Sequence, residues 1–145
     1  MKKLLSIVVL VCATLASHAQ TLTVKNSSSC TVYYKVYAGT SCSSTTTPCA
    51  TALTAIAPGG SATYSLTNPP FFCNPTEFIH IIVNNGLSSS SLCPLVGTDV
   101  GNAACGFATS GSFTTASGCP ACSGQTIKVA WISASAVGSV TVDIN

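Results

Sequence analysis

Beyond residue 20, apolar and polar positions alternate in short runs that are separated by clusters of Gly, Pro, Asn and Ser. A repeat of two residues is typical of β-strands that bury one face, and no run shows the 3.6-residue repeat of a helix. We therefore predict an all-β chain. The predicted strands cover residues 21–25, 31–38, 51–56, 62–67, 77–84, 125–133 and 137–144, and the last two are expected to form a hairpin.

The segments between these runs predict turns and loops. Asn84-Asn85-Gly86 favours a tight turn with positive φ, and residues 97–124, rich in Gly, Ala and Cys, are expected to be irregular with short strands. The pattern predicts a disulfide-rich antiparallel β-sandwich of about 7–10 short strands, in which residues 20–145 form a single domain. Three further polar or proline-rich stretches are predicted to be loops: residues 39–48, 68–75 and 87–94.

The clearest strand, residues 31–38, has two distinct faces. Lys35 is expected to point to water, because an unpaired buried lysine is very costly. Alternation places Tyr33 and Tyr37 on the same wet face, about 13 Å apart at about 3.3 Å per residue. Such a pair predicts a platform for sugar rings, although tyrosine is also simply a favoured strand residue. The opposite, core-facing set is Val32, Tyr34, Val36 and Ala38.

The first 19 residues have the pattern of a signal peptide. Lys2 and Lys3 precede an apolar run over residues 4–16, which is too short to span a bilayer, and Ser17-His18-Ala19 offers small residues at the cleavage positions. The segment resembles bacterial signal peptides. A lipoprotein anchor at Cys12 is disfavoured because Val11, not a small residue, precedes it. We expect a secreted product with no transmembrane segment in the mature chain, located outside the cell, at its surface or in the periplasm.

Cysteine usage agrees with export. Of nine cysteines, Cys12 leaves with the signal peptide, and an even number remains in a small exported domain, which predicts a disulfide framework. Each bridge is expected to contribute roughly 2–4 kcal/mol. The pairing is left open, except that Cys42–Cys49 is expected to close the loop over residues 39–48. The predicted disulfide cysteines are Cys30, Cys42, Cys49, Cys73, Cys93, Cys105, Cys119 and Cys122.

Charge is nearly absent from the predicted mature chain. Three lysines balance three acids, and there is no arginine, so we expect no nucleic-acid partner and no basic patch for anionic lipid. Ser and Thr make up 37 of residues 20–145, so the surface depends on hydroxyl groups for its solvation. Such a surface tolerates close packing against copies of itself, a solid surface or a glycan.

Candidate catalytic groups are sparse. His80 is the one histidine after the predicted cleavage site, and strict alternation puts it on the face of Phe78, Ile82 and Asn84, with Glu77 opposite. It is either a general base or, more simply, a hydrogen-bonded histidine at the margin of the core. The few acids and the lack of a Gly-x-Ser-x-Gly motif point away from a glycosidase or a serine hydrolase. We predict no catalytic residues and no cofactor.

Two short motifs each have a functional and a purely structural interpretation. Cys119-Pro120-Ala121-Cys122 has redox-pair spacing, and with His80 it could also hold zinc. However, it precedes a predicted strand rather than the helix that stabilises a reactive thiolate, so structural disulfides are the favoured interpretation and no metal is predicted. Asn26-Ser27-Ser28 matches the N-glycosylation pattern, which has little meaning in a bacterial protein.

One local stretch resembles a known family. Residues 22–38, followed by Ala57-Pro58-Gly59-Gly60-Ser61, are similar to the opening strands of thaumatin-like proteins, which share an Asn, a nearby Cys, a β-hairpin and a later Pro-Gly turn. The resemblance covers about a third of the chain and implies a β-sandwich. The acidic cleft of that family has no counterpart, since only three acids are present.

These observations favour a secreted, non-enzymatic structural or adhesive protein of the cell surface or extracellular matrix. The alternative is a carbohydrate-binding, lectin-like module that uses Tyr33, Lys35 and Tyr37. The expected partners are a glycan or other copies of the chain. Ice binding would require a regular threonine array, which Thr21-x-Thr23 alone does not provide.

The predicted cleavage site can be tested directly. The mature protein should begin at Gln20, because small residues occupy the peptidase positions before it. Intact-mass measurement of the exported protein should give the mass of residues 20–145, less water if Gln20 cyclises. A lipid-modified start at Cys12 would contradict the prediction.

Overall fold

The computed structural model describes residues 21–42, 49–66, 71, 73–86, 93–119, 122–133 and 139–145. These residues form ten strands and one 3₁₀ turn, with no α-helix among them, so the predicted all-β class is confirmed. The strands are β1 (Thr21–Asn26), β2 (Val32–Gly39), β3 (Cys49–Ala50), β4 (Thr54–Ile56), β5 (Ser61–Ser65), β6 (Glu77–Asn84), β7 (Gly97–Gly101), β8 (Ser110–Thr114), β9 (Thr126–Ser133) and β10 (Ser139–Ile144); the 3₁₀ turn covers Ala103–Cys105.

The strands build two sheets in a sandwich-like arrangement. Sheet A has the order β5-β1-β10-β9-β8, and sheet B has the order β3-β2-β6-β7 with β4 also paired to β2. Pairing is antiparallel except between β1 and β10, the first and last strands of the described chain, which run parallel side by side. The predicted C-terminal hairpin partners, β9 and β10, do pair antiparallel. In contrast, β1 and β2 lie in different sheets, so they do not form the β-hairpin found in the opening strands of thaumatin-like proteins.

The apolar faces of both sheets meet in one core, as strand alternation predicts. All four predicted inner residues of β2 are buried there. The Tyr34 hydroxyl lies 2.6 Å from that of Tyr64, which gives the buried phenol a partner. Burial, reinforced by this hydrogen bond, raises the pKa of Tyr34, so its hydroxyl stays neutral in the core. The largest fully buried side chains are Tyr34, Phe78, Leu22, Ile81, Ile127, Ile144, Val24, Val32, Val36, Val83, Val100 and Val129.

Strand β6 departs from strict alternation. Tyr37 pairs with His80 but Ala38 pairs with Phe78, so Ile79 is an extra residue in a β-bulge. Phe78 therefore returns to the core, where it is 2% exposed, and does not share the face of His80 as predicted. The bulged side chain packs beside Gly39, where a Cβ would lie 2.7 Å from Ile79 Cδ1.

Four disulfides join the eight cysteines of residues 20–145, with Cα–Cα distances of 4.7–5.9 Å. The predicted Cys42–Cys49 bridge is wrong, because each of these cysteines reaches another part of the fold. The two cysteines of the Cys-x-x-Cys unit belong to different bridges, which supports their structural interpretation. Four bridges in one small chain indicate an oxidising compartment. The pairs are Cys30–Cys122, Cys42–Cys105, Cys49–Cys73 and Cys93–Cys119.

The connection after β6 is not the predicted tight turn. Asn85 is buried, and its side chain donates to the carbonyl oxygen of Pro94 and accepts from the amide of Val96. These bonds pin the start of the connection to its end, so β7 begins only at Gly97. No positive φ occurs at Asn84, Asn85 or Gly86. Of the loops predicted over residues 39–48, 68–75 and 87–94, residues 43–48, 68–70, 72 and 87–92 lie outside the described residues.

Among the residues that the structure describes, no helix is long and apolar enough to cross a bilayer.

Asn26, at the end of β1, ties the two sheets together. It is 1% exposed, and its Nδ2 donates to the carbonyl oxygens of Cys30 (2.8 Å) and Ile56 (2.9 Å). Its Oδ1 accepts from the amide and the hydroxyl of Ser28. The side chain therefore holds the crossing from β1 to β2 and the end of β4 in sheet B. Its burial excludes it as an accessible glycosylation acceptor in the folded state.

Replacement of Asn26 should be severe. Asn26→Ala removes the Nδ2 donor to the buried carbonyls of Cys30 and Ile56, and of these Cys30 keeps the Ser28 hydroxyl as a donor at 3.2 Å. Each buried hydrogen bond that is lost costs about 1–3 kcal/mol. We expect the free energy of unfolding to fall by about 3 kcal/mol in urea titrations. Asn145→Ala is the matched control: Asn145 is exposed and its amide makes one long bond, 3.4 Å, to Asp143. Equal effects of the two variants would contradict the role assigned to Asn26.

Candidate functional site

The outer side of sheet B concentrates aromatic and polar side chains, and we call it the B face. Cross-strand pairing among β2, β6 and β7 arranges these side chains in three rows. The first row is Tyr33, Asn84 and Gly97; the middle row is Lys35, Ile82 and Asp99; the third is Tyr37 and His80, with Phe107 beside them. The predicted site residues Tyr33, Lys35 and Tyr37 are thus all on one half-exposed face, opposite the buried side of β2.

The third row is a stack of three rings. Tyr37 and His80 are parallel to within 16°, with their centroids 4.3 Å apart. His80 and Phe107 are parallel to within 10°, also at 4.3 Å. Two rings at this distance cannot share one side of the imidazole, so Tyr37 and Phe107 cover its opposite faces. The His80 side chain is accordingly only 13% exposed, although it lies on the outside of the sheet.

Phe107 is brought to His80 by the segment that follows β7. The 3₁₀ turn Ala103–Cys105 is capped by Asn102, whose Oδ1 accepts from Ala104 N, and it ends at Gly106 with φ +82°. Cys105 is bonded to Cys42, which fixes the turn over sheet B. Gly101, opposite His80, has no side chain to obstruct the ring: a Cβ there would lie 2.6 Å from His80 Cβ.

Polar contacts link the stack to the middle row. His80 Nδ1 lies 2.7 Å from Asp99 Oδ1, and the Asp99 side chain is 41% exposed. Lys35 Nζ lies 5.2 Å from the Tyr37 centroid, within the range of a cation–π contact. The middle row therefore carries one basic and one acidic group, each held by a ring of the third row.

The two predicted platform tyrosines differ in their surroundings. Tyr37 is engaged by His80 on one ring face and by the Lys35 ammonium, so it belongs to the rigid stack. Tyr33 is half-buried at the start of β2, and no ring contact to it is found among the described residues. Of the two, Tyr33 is the ring better placed to receive a ligand.

The outer side of sheet A is different in chemistry. Thr63, Thr23 and Thr141 lie in one cross-strand row, and the Thr23 and Thr63 hydroxyls are 3.2 Å apart. This row is more regular than the sequence indicates, but Ile132 continues it on β9. A shallow depression of about 470 Å³ beside Lys128 is lined by small and hydroxyl side chains and no aromatic ring. Both outer sides carry charged groups, with Lys25, Lys128 and Asp143 on sheet A, but the stacked rings lie on sheet B.

A metal site is not supported in the described part of the chain. The one group of possible ligands found there consists of Cys42, Glu77 and Cys105, with their ligand atoms within 4.8 Å of one another. Cys42 and Cys105 are bonded to each other, so neither offers a thiolate.

Sequence reasoning missed two parts of this site. It considered Asp99 and His80 but did not bring them together, and it did not single out Phe107. The register of β6 against β7 joins the first pair. Phe107 carries no local signal, because its position depends on a disulfide and a 3₁₀ turn in a segment without periodicity.

Comparison with protein-family models, curated proteins and solved structures finds no match for this chain. The thaumatin-like resemblance therefore remains a local similarity of strands and one turn. A function must be argued from the geometry of the chain itself.

Removal of the Phe107 ring tests the stack. Phe107→Ala should lower the free energy of unfolding by about 1–2 kcal/mol, because a stacked aromatic pair contributes about 0.5–1.5 kcal/mol beyond its buried area. The His80 Hε1 resonance should move downfield as a neighbouring ring current is lost. Phe107→Leu, which keeps apolar area without a ring, should show the same resonance shift with a smaller loss of stability. An unchanged His80 resonance in both variants would contradict the stacked geometry.

Proposed function

We propose that this chain is a secreted, non-enzymatic adhesive protein that contacts its partner through the B face. The observation that carries the proposal is the gathering of half-exposed rings, with hydrogen-bonding groups beside them, on this one sheet face. Aromatic residues with nearby hydrogen-bonding groups are typical of recognition surfaces. The disulfide framework supports the structural part of the proposal, because it stabilises the face outside the cell.

A non-enzymatic role is supported by the surroundings of His80. The His80–Asp99 pair has the geometry of a base and its orienting carboxylate, which a hydrolase would also need. However, both faces of the imidazole are covered, and Asp99 is its one hydrogen-bond partner among the described residues. No hydroxyl or thiol of the described residues is hydrogen-bonded to the imidazole, which favours a structural role for His80.

Assembly with other copies through a strand edge has less support. β5 is paired on one side with β1 and ends sheet A. Its sequence, Ser-Ala-Thr-Tyr-Ser, is polar rather than apolar. An apolar edge would favour edge-to-edge association, so the partner is better sought at the B face.

A carbohydrate is the second candidate function, as the ligand of the same face. Tyr33 favours it, because an aromatic ring free of other ring contacts can stack on the C–H face of a sugar. Asn84, its cross-strand neighbour, adds an amide that can donate and accept hydrogen bonds. The nearly uncharged mature chain is compatible with a neutral glycan.

A double substitution tests the B face. Tyr33→Ala with Tyr37→Ala should weaken binding to a glycan array and adsorption to polysaccharide-coated surfaces about tenfold or more, since the Tyr33 ring contact contributes on the order of 1 kcal/mol and the loss of Tyr37 removes one of the two rings that hold His80. Both rings are outside the core, so the variant should stay folded. Thr23→Ala with Thr141→Ala, on the outer side of sheet A, should bind like the unmodified protein.

Tyr34→Ala provides the opposite control for this test. It removes a buried ring and should cost about 3 kcal/mol or more in stability. If the double tyrosine variant unfolds while Tyr34→Ala is tolerated, the assignment of faces is wrong. If the sheet A variant loses adsorption and the B-face variant does not, the contact surface is wrong.

A further inference from the structure

We infer that the middle row of the B face binds one sugar ring of a neutral hexose, and we call this site the seat. Ile82 contacts the sugar ring from below, and the Asp99 carboxylate, oriented by His80, accepts hydrogen bonds from two adjacent hydroxyls. This inference rests on the carbohydrate candidate above and specifies its chemistry. It also assigns His80 a role as a positioning residue.

The shape of the row fits one ring. Ile82 lies on β6 between Lys35 on β2 and Asp99 on β7. Neighbouring strands are about 4.8 Å apart, so Lys35 and Asp99 are separated by about 10 Å at the backbone, the width of a single sugar with its hydroxyls. Gly97, beside Asn84 in the first row, has no side chain and leaves the approach to Asp99 open.

The side chains around the seat match the two kinds of surface on a hexose, its apolar C–H face and its polar hydroxyls. Ile82 is a half-buried apolar side chain that can contact the C–H face of the sugar. Tyr33 borders the seat on one side, and the ring stack borders it on the other. Charges of both signs, on Lys35 and Asp99, disfavour a strongly cationic or anionic ligand and favour a neutral one with many hydroxyls.

Asp99 is the group best suited to accept hydrogen bonds from the hydroxyls of the sugar. A carboxylate has two oxygens and about four acceptor sites, and O–H···O⁻ bonds are among the stronger hydrogen bonds in proteins. Oδ1 accepts from His80 at 2.7 Å, and the carboxylate has no second hydrogen-bond partner among the described residues. More than a third of the side chain is exposed, so a ligand can reach it.

His80 fixes the carboxylate before the ligand arrives. Its ring is clamped between Tyr37 and Phe107, so its Nδ1 points at Asp99 from a fixed position. Preorganisation of a polar group reduces the entropy lost on binding and therefore raises affinity. The three-ring stack thus supports the seat without touching the sugar.

Isothermal titration calorimetry of the mature protein with hexaoses of glucose, mannose and galactose tests the seat. For any hexaose that binds, Asp99→Asn should weaken affinity about tenfold, a change of about 1.4 kcal/mol. His80→Phe keeps a ring in the stack but cannot bond to Asp99, so it should weaken affinity several-fold with little change in the melting temperature. Asp143→Asn, on the outer side of sheet A, is the charge-matched control and should bind normally.

A variant that carries both Asp99→Asn and His80→Phe shows whether His80 acts on binding through Asp99 or only stabilises the fold. If His80 acts through Asp99, His80→Phe should add little to the loss already caused by Asp99→Asn. Fully additive losses would overturn the positioning role. Tight binding by Asp99→Asn together with its loss in Tyr33→Ala would overturn the seat but retain the carbohydrate function. If none of the three hexaoses binds the unmodified protein at millimolar concentration, the seat for a neutral hexose is wrong, while adsorption through the B face is still decided by the tyrosine variants.

Discussion

The bulge at Ile79 is the constraint on which the outer surface of sheet B depends. One extra residue in β6 turns Phe78 into the core while His80 stays outside. The side chain of the bulged residue packs beside Gly39, and its carbonyl oxygen accepts a hydrogen bond from the Asn102 amide at 2.9 Å. The same bond starts the turn that carries Phe107 back to His80. Core packing and the ring stack are therefore two results of one backbone irregularity.

Alternation predicted the fold well where the strands are regular. In β2, the run of residues 31–38 correctly divided buried from half-exposed positions, because hydrophobic and polar demands repeat every two residues. In β6 the same rule placed Phe78 on the outer side of the sheet instead of in the core, because strict alternation does not allow for the extra residue of a bulge. β7 and β8 were not located, because their short Gly- and Ser-rich sequences contain few apolar positions.

The site was less predictable than the fold, because a local pattern of residues does not show which strands pair in the folded chain. Tyr33, Lys35 and Tyr37 are consecutive outward positions of one strand, so a local pattern reveals them. The remaining members come from β6, β7 and the segment after the 3₁₀ turn, and only tertiary pairing joins them. The disulfides show the same limit: the spacing of Cys42 and Cys49 favours a local loop, but Cys42 instead secures the turn near Phe107.

The order of the disulfides along the chain has a consequence for cleavage by proteases. Cys30–Cys122 encloses both cysteines of each of the other three bridges. A protease that hydrolyses any single peptide bond between residues 30 and 122 therefore generates two polypeptides that remain covalently joined. Such a cut creates new termini but releases no fragment, so a nicked molecule keeps every strand of both sheets within one covalent unit.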